Sequence, residues 1–541
     1  MTWRSASIMT TPIPTSNGVS GLAAPSLPDE AALQAWANTF FSTLPGNAPA
    51  LPESFPLNID LPESSVGEDR VTAQSFGLPG IDTLQALLND IDAGAVRENA
   101  VPSVPGAGNF YFLDPIQPQL ASVVPQIPAD AHPAFDVQTL RRDFPILAER
   151  VNGRPLVWLD NAATTQKPKA VIDRLAYFYE HENSNIHRAA HELAARATDA
   201  YEAARQTVAR FIGAGSVDEI VFVRGATEAI NLVAQSWGAQ NIGEGDEIVI
   251  SHLEHHANIV PWQQLATAKG ARLRVIPVDD SGQILLDEYR RLLNDRTKIV
   301  AITQVSNALG TVTPVQEVVQ MAHSVGAKAL VDGAQSVSHM RVNVQALDAD
   351  FFVFSGHKIF GPTGIGVVYG KKEILESMPP WQGGGNMIVD VTFEKTLYHG
   401  APARFEAGTG NIADAAGLGA ALDYIERVGL ENIARYEHDL LAYATEGFKT
   451  ISGLRLIGTA RDKASVLSFV LEGYHVEEVG KALNSEGIAV RSGHHCAQPI
   501  LRRFGVEATV RPSLAFYNTC EEVDQLLSVL RRLRANRHNG A

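Results

Sequence analysis

At 541 residues, with 45% apolar residues and a formal net charge of −16, the chain is longer than one ordinary domain and has the apolar content of a globular protein, while its charge excludes general nucleic-acid binding. No apolar run approaches the roughly 18 residues that a membrane span needs, and the opening MTWRSASIMTTPIPTSN lacks the continuous apolar stretch of a secretory signal. Only Cys496 and Cys520 occur, which is no disulfide framework and fits a reducing, cytoplasmic setting.

Residues 1–134 differ in kind from the rest. They hold 17 of the 29 prolines, no lysine, and 13 acidic residues against three arginines, so −10 of the net charge lies here. Such a stretch buries too little apolar surface to offset the entropy of ordering, and is expected to be disordered with short apolar islands. In Asp29–Leu44, Leu33, Trp36, Ala37, Phe40, Phe41 and Leu44 fall at helical spacing behind Asp29-Glu30. Ile81–Ile91 is a second island, and Asn109–Leu113 a third, aromatic and extended. Either these islands pack on the chain's own surface or they fold on docking to a partner. An acidic, lysine-free segment argues against an anionic membrane anchor.

From Phe135 the pattern becomes alternating helices and strands. FDVQTLRRDF (135–144) reads as a short amphipathic helix, Val157–Asp160 as a strand, and Asn161–Thr165 as a turn of small residues. Helices follow at Ala170–His181 and Ala194–Phe211, then a strand at Glu219–Val223. Gly225-Ala226-Thr227 opens the next helix, whose free N–H groups suit a phosphate if this is more than an ordinary helix start. The strand Glu247–Ile250 leads to Glu254-His255-His256; with no cysteine or acid cluster beside the paired histidines, no metal site is expected. Lys298–Ile302 is a strand running toward Asn307. Leu330-Val331-Asp332 ends in an acid fit either to cap a helix or to pair with a protonated pyridine nitrogen. The aromatic strand Phe351–Phe354 ends at Ser355-Gly356-His357-Lys358. A lysine at a sheet rim has its pKa lowered by its apolar surround. It is then a nucleophile for an aldehyde cofactor, of which pyridoxal phosphate is the common one. The alternative is a surface lysine in a turn. Together these elements imply a mostly parallel sheet covered on both faces, with ligand groups at the strand ends.

From about Ala415 a smaller α/β region follows, with helices near Ala415–Val428 and Leu430–Gly453 and strands at Leu454–Ile457 and Ala464–Leu471. Next come a helix at His475–Ser485, strands at Ile488–Arg491 and Thr509–Ser513, and a closing helix at Glu521–Arg534. Cys496 sits in a polar loop beside His494 and His495, with Arg491 and Arg511 near in sequence, and positive neighbours favour its thiolate.

The motifs LDNAATTQKP (159–168), EHHANIVPW (254–262), QVSNALGT (304–311), VDGAQ (331–335), FSGHKIFGPTGIG (354–366), PPWQGGGNMI (379–388), RFEAGTGN (404–411) and RSGHHCAQP (491–499) stand in order along the chain. From Phe135 onward it resembles the type II cysteine desulfurases of the class V aminotransferase family. These are pyridoxal phosphate enzymes of fold type I, the aspartate aminotransferase-like α/β fold.

The resemblance implies that Lys358 holds the cofactor, Asp332 pairs with its ring nitrogen, and His255 stacks on the ring and moves protons. It adds Gln335, Ala226, Thr227, Asn307, Ser355 and His357 to the cofactor site. Thr409 would reach the phosphate of a neighbouring subunit, which implies a homodimer. Arg511, Arg491, Asn307, Ala163 and His187 would bind L-cysteine. Cys496 would take its sulfur as a persulfide, release alanine, and pass the sulfur to an acceptor protein or reductant. Ala189, Ala226 and Gly410 depart from the family pattern.

The implied domains are a large cofactor domain at 135–414, with 135–155 able to pack on the other domain, and a small one at 415–541. A desulfurase with so long an extension resembles the cargo of encapsulin nanocompartments, which implies that residues 1–134 dock to a shell protein. Two alternatives stand beside this reading. One is a selenocysteine lyase or other fold type I enzyme; the other is a cargo or scaffold protein docked to a non-shell partner.

Overall fold

The computed structural model describes residues 135–186 and 191–538. The three N-terminal islands and His187, Arg188 and Ala189 lie outside the described residues.

A seven-stranded sheet organises the chain. Its strands are β1 (Ile220–Val223), β2 (Glu247–Ser251), β3 (Arg272–Ile276), β4 (Thr297–Thr303), β5 (Lys328–Asp332), β6 (Phe351–Ser355) and β7 (Gly366–Gly370), in the order β1-β7-β6-β5-β4-β2-β3. Pairs β3/β2, β2/β4, β4/β5 and β5/β6 are parallel, whereas β7 runs antiparallel to both β6 and β1. The sheet is therefore the mostly parallel one expected, with one reversed strand that the glycine-rich stretch after Lys358 hid. Gly366 lets the reversed strand lie close against its neighbours: a Cβ there would lie 2.4 Å from Gly225 Cα and 2.7 Å from the Phe354 carbonyl oxygen.

The strands are apolar along their length because both faces are covered. Phe222, Val300, Ile302, Phe352 and Phe354 join one core, and Val221, Ile299, Ala301, Phe351 and Val353 join the other. The helix Ile412–Val428 packs on the helices Lys169–His181 and Glu192–Ile212, and so sides with this main body.

A second sheet, antiparallel, has the order β8 (Leu454–Ile457), β9 (Ser468–Leu471), β11 (Thr509–Arg511), β10 (Arg491–Gly493). Its core takes in Val157 and Leu159 from the start of the described chain, against Phe448, Phe469, Leu483 and Leu527. The predicted strand Ile488–Arg491 divides. Ile488–Ala489 pairs in parallel with Val157–Trp158, and Arg491 begins β10. The loop after β10 carries Cys496 toward the ends of β2, β4, β5 and β6.

Candidate active site

The parallel strands end at a cavity of about 190 Å³ lined by residues from both sheets. Of the residues singled out from the sequence, Ala163, Ala226, Thr227, His255, Asn307, Asp332, Gln335, Ser355, His357, Lys358, Arg491, Cys496 and Arg511 all line it. Thr409 does not; it lines a separate cavity with Glu228, Trp381 and Phe405. His187 is outside the described residues.

Lys358 closes a single 3-10 turn directly after β6. Burial pushes its amine down to about 8, Asp332 pulling the other way and Arg511 adding to the depression. Asp332, the last residue of β5, is buried and accepts the Ala334 N–H at 2.9 Å through Oδ1. Its Oδ2 has no hydrogen bond among the described residues. Burial raises its pKa, against the attraction of Lys358.

The turn bearing Lys358 is held from behind. The His357 carbonyl accepts from the Thr165 N–H at 3.0 Å and from Thr164 Oγ1 at 3.0 Å. The imidazole of His357 is pushed down to about 4, by burial first and then by Lys358 and Lys167. Ser355 Oγ accepts the N–H of Ala226 at 2.9 Å, which joins the end of β6 to the first turn of the helix Ala226–Val233.

His255 ends the loop after β2. Its Nδ1 accepts the Ala257 N–H at 3.0 Å, so the proton of the neutral ring sits on Nε2. Burial, then Lys358, drives its pKa down to about 3, and the ring is neutral at ordinary pH. Gln335 Nε2 donates to the Ala162 carbonyl at 2.6 Å. Asn307 Nδ2 donates to the His495 carbonyl at 2.7 Å, while its Oδ1 is buried without a partner among the described residues.

Arg511 is almost fully buried at the end of β11. It donates to the Asn307 carbonyl at 2.9 Å and to Asp160 at 3.0 Å, and its Nε has no partner among the described residues. A buried guanidinium with a spare donor is an anion site in want of an anion. Cys496 is half-buried, on the same cavity. Among the described residues no cluster of three or more His, Cys, Asp or Glu could hold a metal ion.

Two residues of this site were not singled out from the sequence, and a third, His495, was read only as a positive neighbour of Cys496. Asp160 is the ion partner of Arg511, yet 351 residues separate them and nothing local ties one to the other. His495 is buried, its Nε2 lying 2.8 Å from Thr509 Oγ1. Lys167 lies 3.4 Å from the His357 carbonyl, and burial pushes its amine down to about 8.

The Aminotransferase class-V family matches residues 157–526. A cysteine desulfurase of Synechococcus elongatus is 59% identical over 545 residues, covering 95% of this chain and 86% of that protein. A cysteine desulfurase of Klebsiella pneumoniae (strain 342) is 53% identical over 400 residues, covering 74% of this chain and 98% of that one. Among solved structures, an apo cysteine desulfurase from Thermococcus onnurineus superposes with a TM-score of 0.70 at 41% identity, over 73% of this chain and 97% of that one.

Proposed function

Since the chain belongs to the class V aminotransferase family and, within it, to the cysteine desulfurases, we propose that it moves the sulfur of L-cysteine onto Cys496 as a persulfide and releases L-alanine. The observation that carries this reading is the meeting of the Lys358 amine, the Asp332 carboxyl and the Cys496 thiol in one cavity, each from a different element.

Pyridoxal phosphate is the cofactor, and the residues fit it. Lys358 would hold its aldehyde carbon, and the spare oxygen of Asp332 its ring nitrogen. His255 would lie against the ring, with Gln335 and Asn307 beside it. Ser355, His357, Thr227 and the helix start at Ala226 would hold the phosphate. Once bound, it supplies an electron sink that loosens the bonds around the substrate's α-carbon.

The chain's own groups do the rest. Arg511, with its unpaired Nε, receives the substrate carboxylate, and Arg491 adds positive charge at the cavity mouth. Lys358 Nζ, about half free base at pH 8, takes the proton from Cα and returns it there once the sulfur has left, while the proton given up by the Cys496 thiol ends on Cβ. His255 can donate from Nε2 but does not hold a second proton. Cys496 Sγ attacks the substrate sulfur: the S–S bond forms, the Cβ–S bond breaks, and its electron pair passes to carbon, which is then protonated. The outer sulfur leaves by exchange with an acceptor thiol. The test is the Cys496→Ser enzyme, which should keep its cofactor absorbance and lose both the mass of the persulfide and alanine production. Undiminished alanine production in that variant would sink the assignment of Cys496.

The homodimer and the shell belong to the same proposal. Thr409 lies off its own protomer's cavity, as a residue serving a neighbouring subunit would; light scattering tests this, and a monomer refutes it. Residues 1–134 are the shell-docking segment. Their composition supports that role, as does the contrast between a relative aligned over 95% of the chain and one aligned over 74%. A chain starting near Phe135, co-expressed with an encapsulin shell protein, should keep desulfurase activity and stay outside the shell. Loading of the shortened chain would refute the docking role. Among the described residues no helix is long and apolar enough to cross a membrane.

A further inference from the structure

His495 and Cys496 both have positive φ, 52° and 54°. Two such residues in tandem, neither of them glycine, need support from outside the loop. Two of the supports are plain: Asn307 holds the His495 carbonyl, and Thr509 the His495 ring. The third is His256, which the reaction itself does not use and which does not line the cavity.

Its backbone N–H donates to the Cys496 carbonyl at 2.7 Å. Its Nε2 accepts the N–H of Gln498 at 3.3 Å. Its ring stacks on His494 at 5.8 Å and 25°, and His494 Nδ1 in turn accepts the N–H of Cys496 at 3.1 Å. The loop is thus gripped at residues 494, 496 and 498 through one histidine. Both ring nitrogens in use are acceptors, so the pair works as neutral imidazoles. The turn that carries His256 is itself fixed. Buried Glu254 accepts from Ser251 Oγ, Asn258 Nδ2 and the Thr303 N–H, and Asn258 Oδ1 accepts from Trp262 Nε1.

We propose that His256 is the positioning residue of the sulfur-carrying loop: through its Nε2 and its stack on His494 it keeps Cys496 in the left-handed conformation that presents Sγ to the cavity. The inference rests on Cys496 as the sulfur carrier, but the grip on the loop is measured independently of that role.

The test uses the holoenzyme and its His256→Ala and His256→Gln variants. Glutamine keeps an acceptor oxygen at similar reach. Alkylation of half-buried Cys496 by iodoacetamide is read on its own peptide by mass spectrometry, because the exposed Cys520 also reacts. In the alanine variant, alkylation should speed up several-fold and kcat should fall roughly tenfold at unchanged KM for L-cysteine, the scale on which small misplacements of a reacting group act. Cofactor absorbance should stay as in the parent, and glutamine should restore both rates. Parental alkylation in the alanine variant overturns the proposal. So does a change in KM alone, or a glutamine variant as impaired as the alanine one. Faster alkylation with kcat untouched would uphold the grip and remove Cys496 from the reaction.

Discussion

Replacing Glu406 by glutamine should cost the folded protein about 3 kcal/mol, toward the lower end of the range for breaking a buried ion pair. Arg205 is 2% exposed and Glu406 9%. The carboxylate takes both Arg205 terminal nitrogens, at 2.7 and 2.9 Å, with Tyr201 Oη at 3.0 Å and the Phe222 N–H at 2.8 Å. Burial alone would lower the Arg205 pKa; the attraction of Glu406 more than reverses this, so the charged pair is the state that the fold favours. Glutamine has the same shape but turns an NH₂ toward donors, so one side of the fork loses its partner and the guanidinium loses its nearest charge. Glu202, at 2.9 Å from Arg205 Nε but partly exposed, keeps part of the compensation, hence the lower end. Chemical unfolding followed by tryptophan fluorescence measures the loss. A loss below about 1 kcal/mol would place the pair with surface ion pairs and refute the reasoning. Glu406 lies three residues before Thr409, so the same variant should loosen the loop proposed to serve the neighbouring subunit.

The lowered Lys358 pKa predicts that cofactor-free enzyme takes up pyridoxal phosphate at a rate reaching half its plateau near pH 8, where an unperturbed lysine at 10.5 would still be almost wholly protonated. A rate still climbing above about pH 10 would contradict it. Asp332→Asn should keep the fold and lower kcat roughly tenfold to a hundredfold, the value of one charge-assisted hydrogen bond; stopped-flow turnover decides, and a parental kcat refutes the pairing. Gly366→Ala forces a Cβ to within 2.4 Å of Gly225 Cα, a backbone atom that cannot step aside. It should cost about 2 kcal/mol or more and let cofactor escape on dialysis; full retention with an unchanged melting temperature would refute the close approach.

The parallel core was legible because strands covered on both faces are written as unbroken apolar runs, such as Phe351–Phe354, each followed by a polar loop. Strand ends, where ligands gather, also pointed to Asp332 and Lys358, whereas His255, Asn307 and most of the remaining candidates came from the resemblance carried by the ordered motifs. Other features were not legible. β7 begins and ends in glycine and follows a glycine-rich turn, so it reads as a continuation of that turn. The edge strand β3 is half polar because one side of it is open. Ile488–Arg491 reads as one strand, and only tertiary pairing divides it. Asp160, Lys167 and His256 act on partners about 190 to 350 residues away, and single-sequence patterns do not carry such pairings.

Those distant pairings decide how the site is held together. The segment 158–167 is bonded to both halves of the cavity. On one side, Asn161 Nδ2 donates to the Ser513 carbonyl at 2.7 Å and the Ala162 N–H to Ser513 Oγ at 2.9 Å, just beyond Arg511. On the other, the Ala162 carbonyl accepts from Gln335, and Thr164 and Thr165 hold the carbonyl of the peptide that leads into Lys358. Arg511, proposed to bind the substrate carboxylate, and Lys358, proposed to take its α-proton, are thus fixed relative to each other by one short stretch of small polar residues. Asn307 and His256 do the same for Cys496. A thiol transfer between two bound groups needs its atoms near 3 to 3.5 Å, and small displacements are expensive. Hydrogen bonds that span the two sheets meet that demand, and neither sheet alone could.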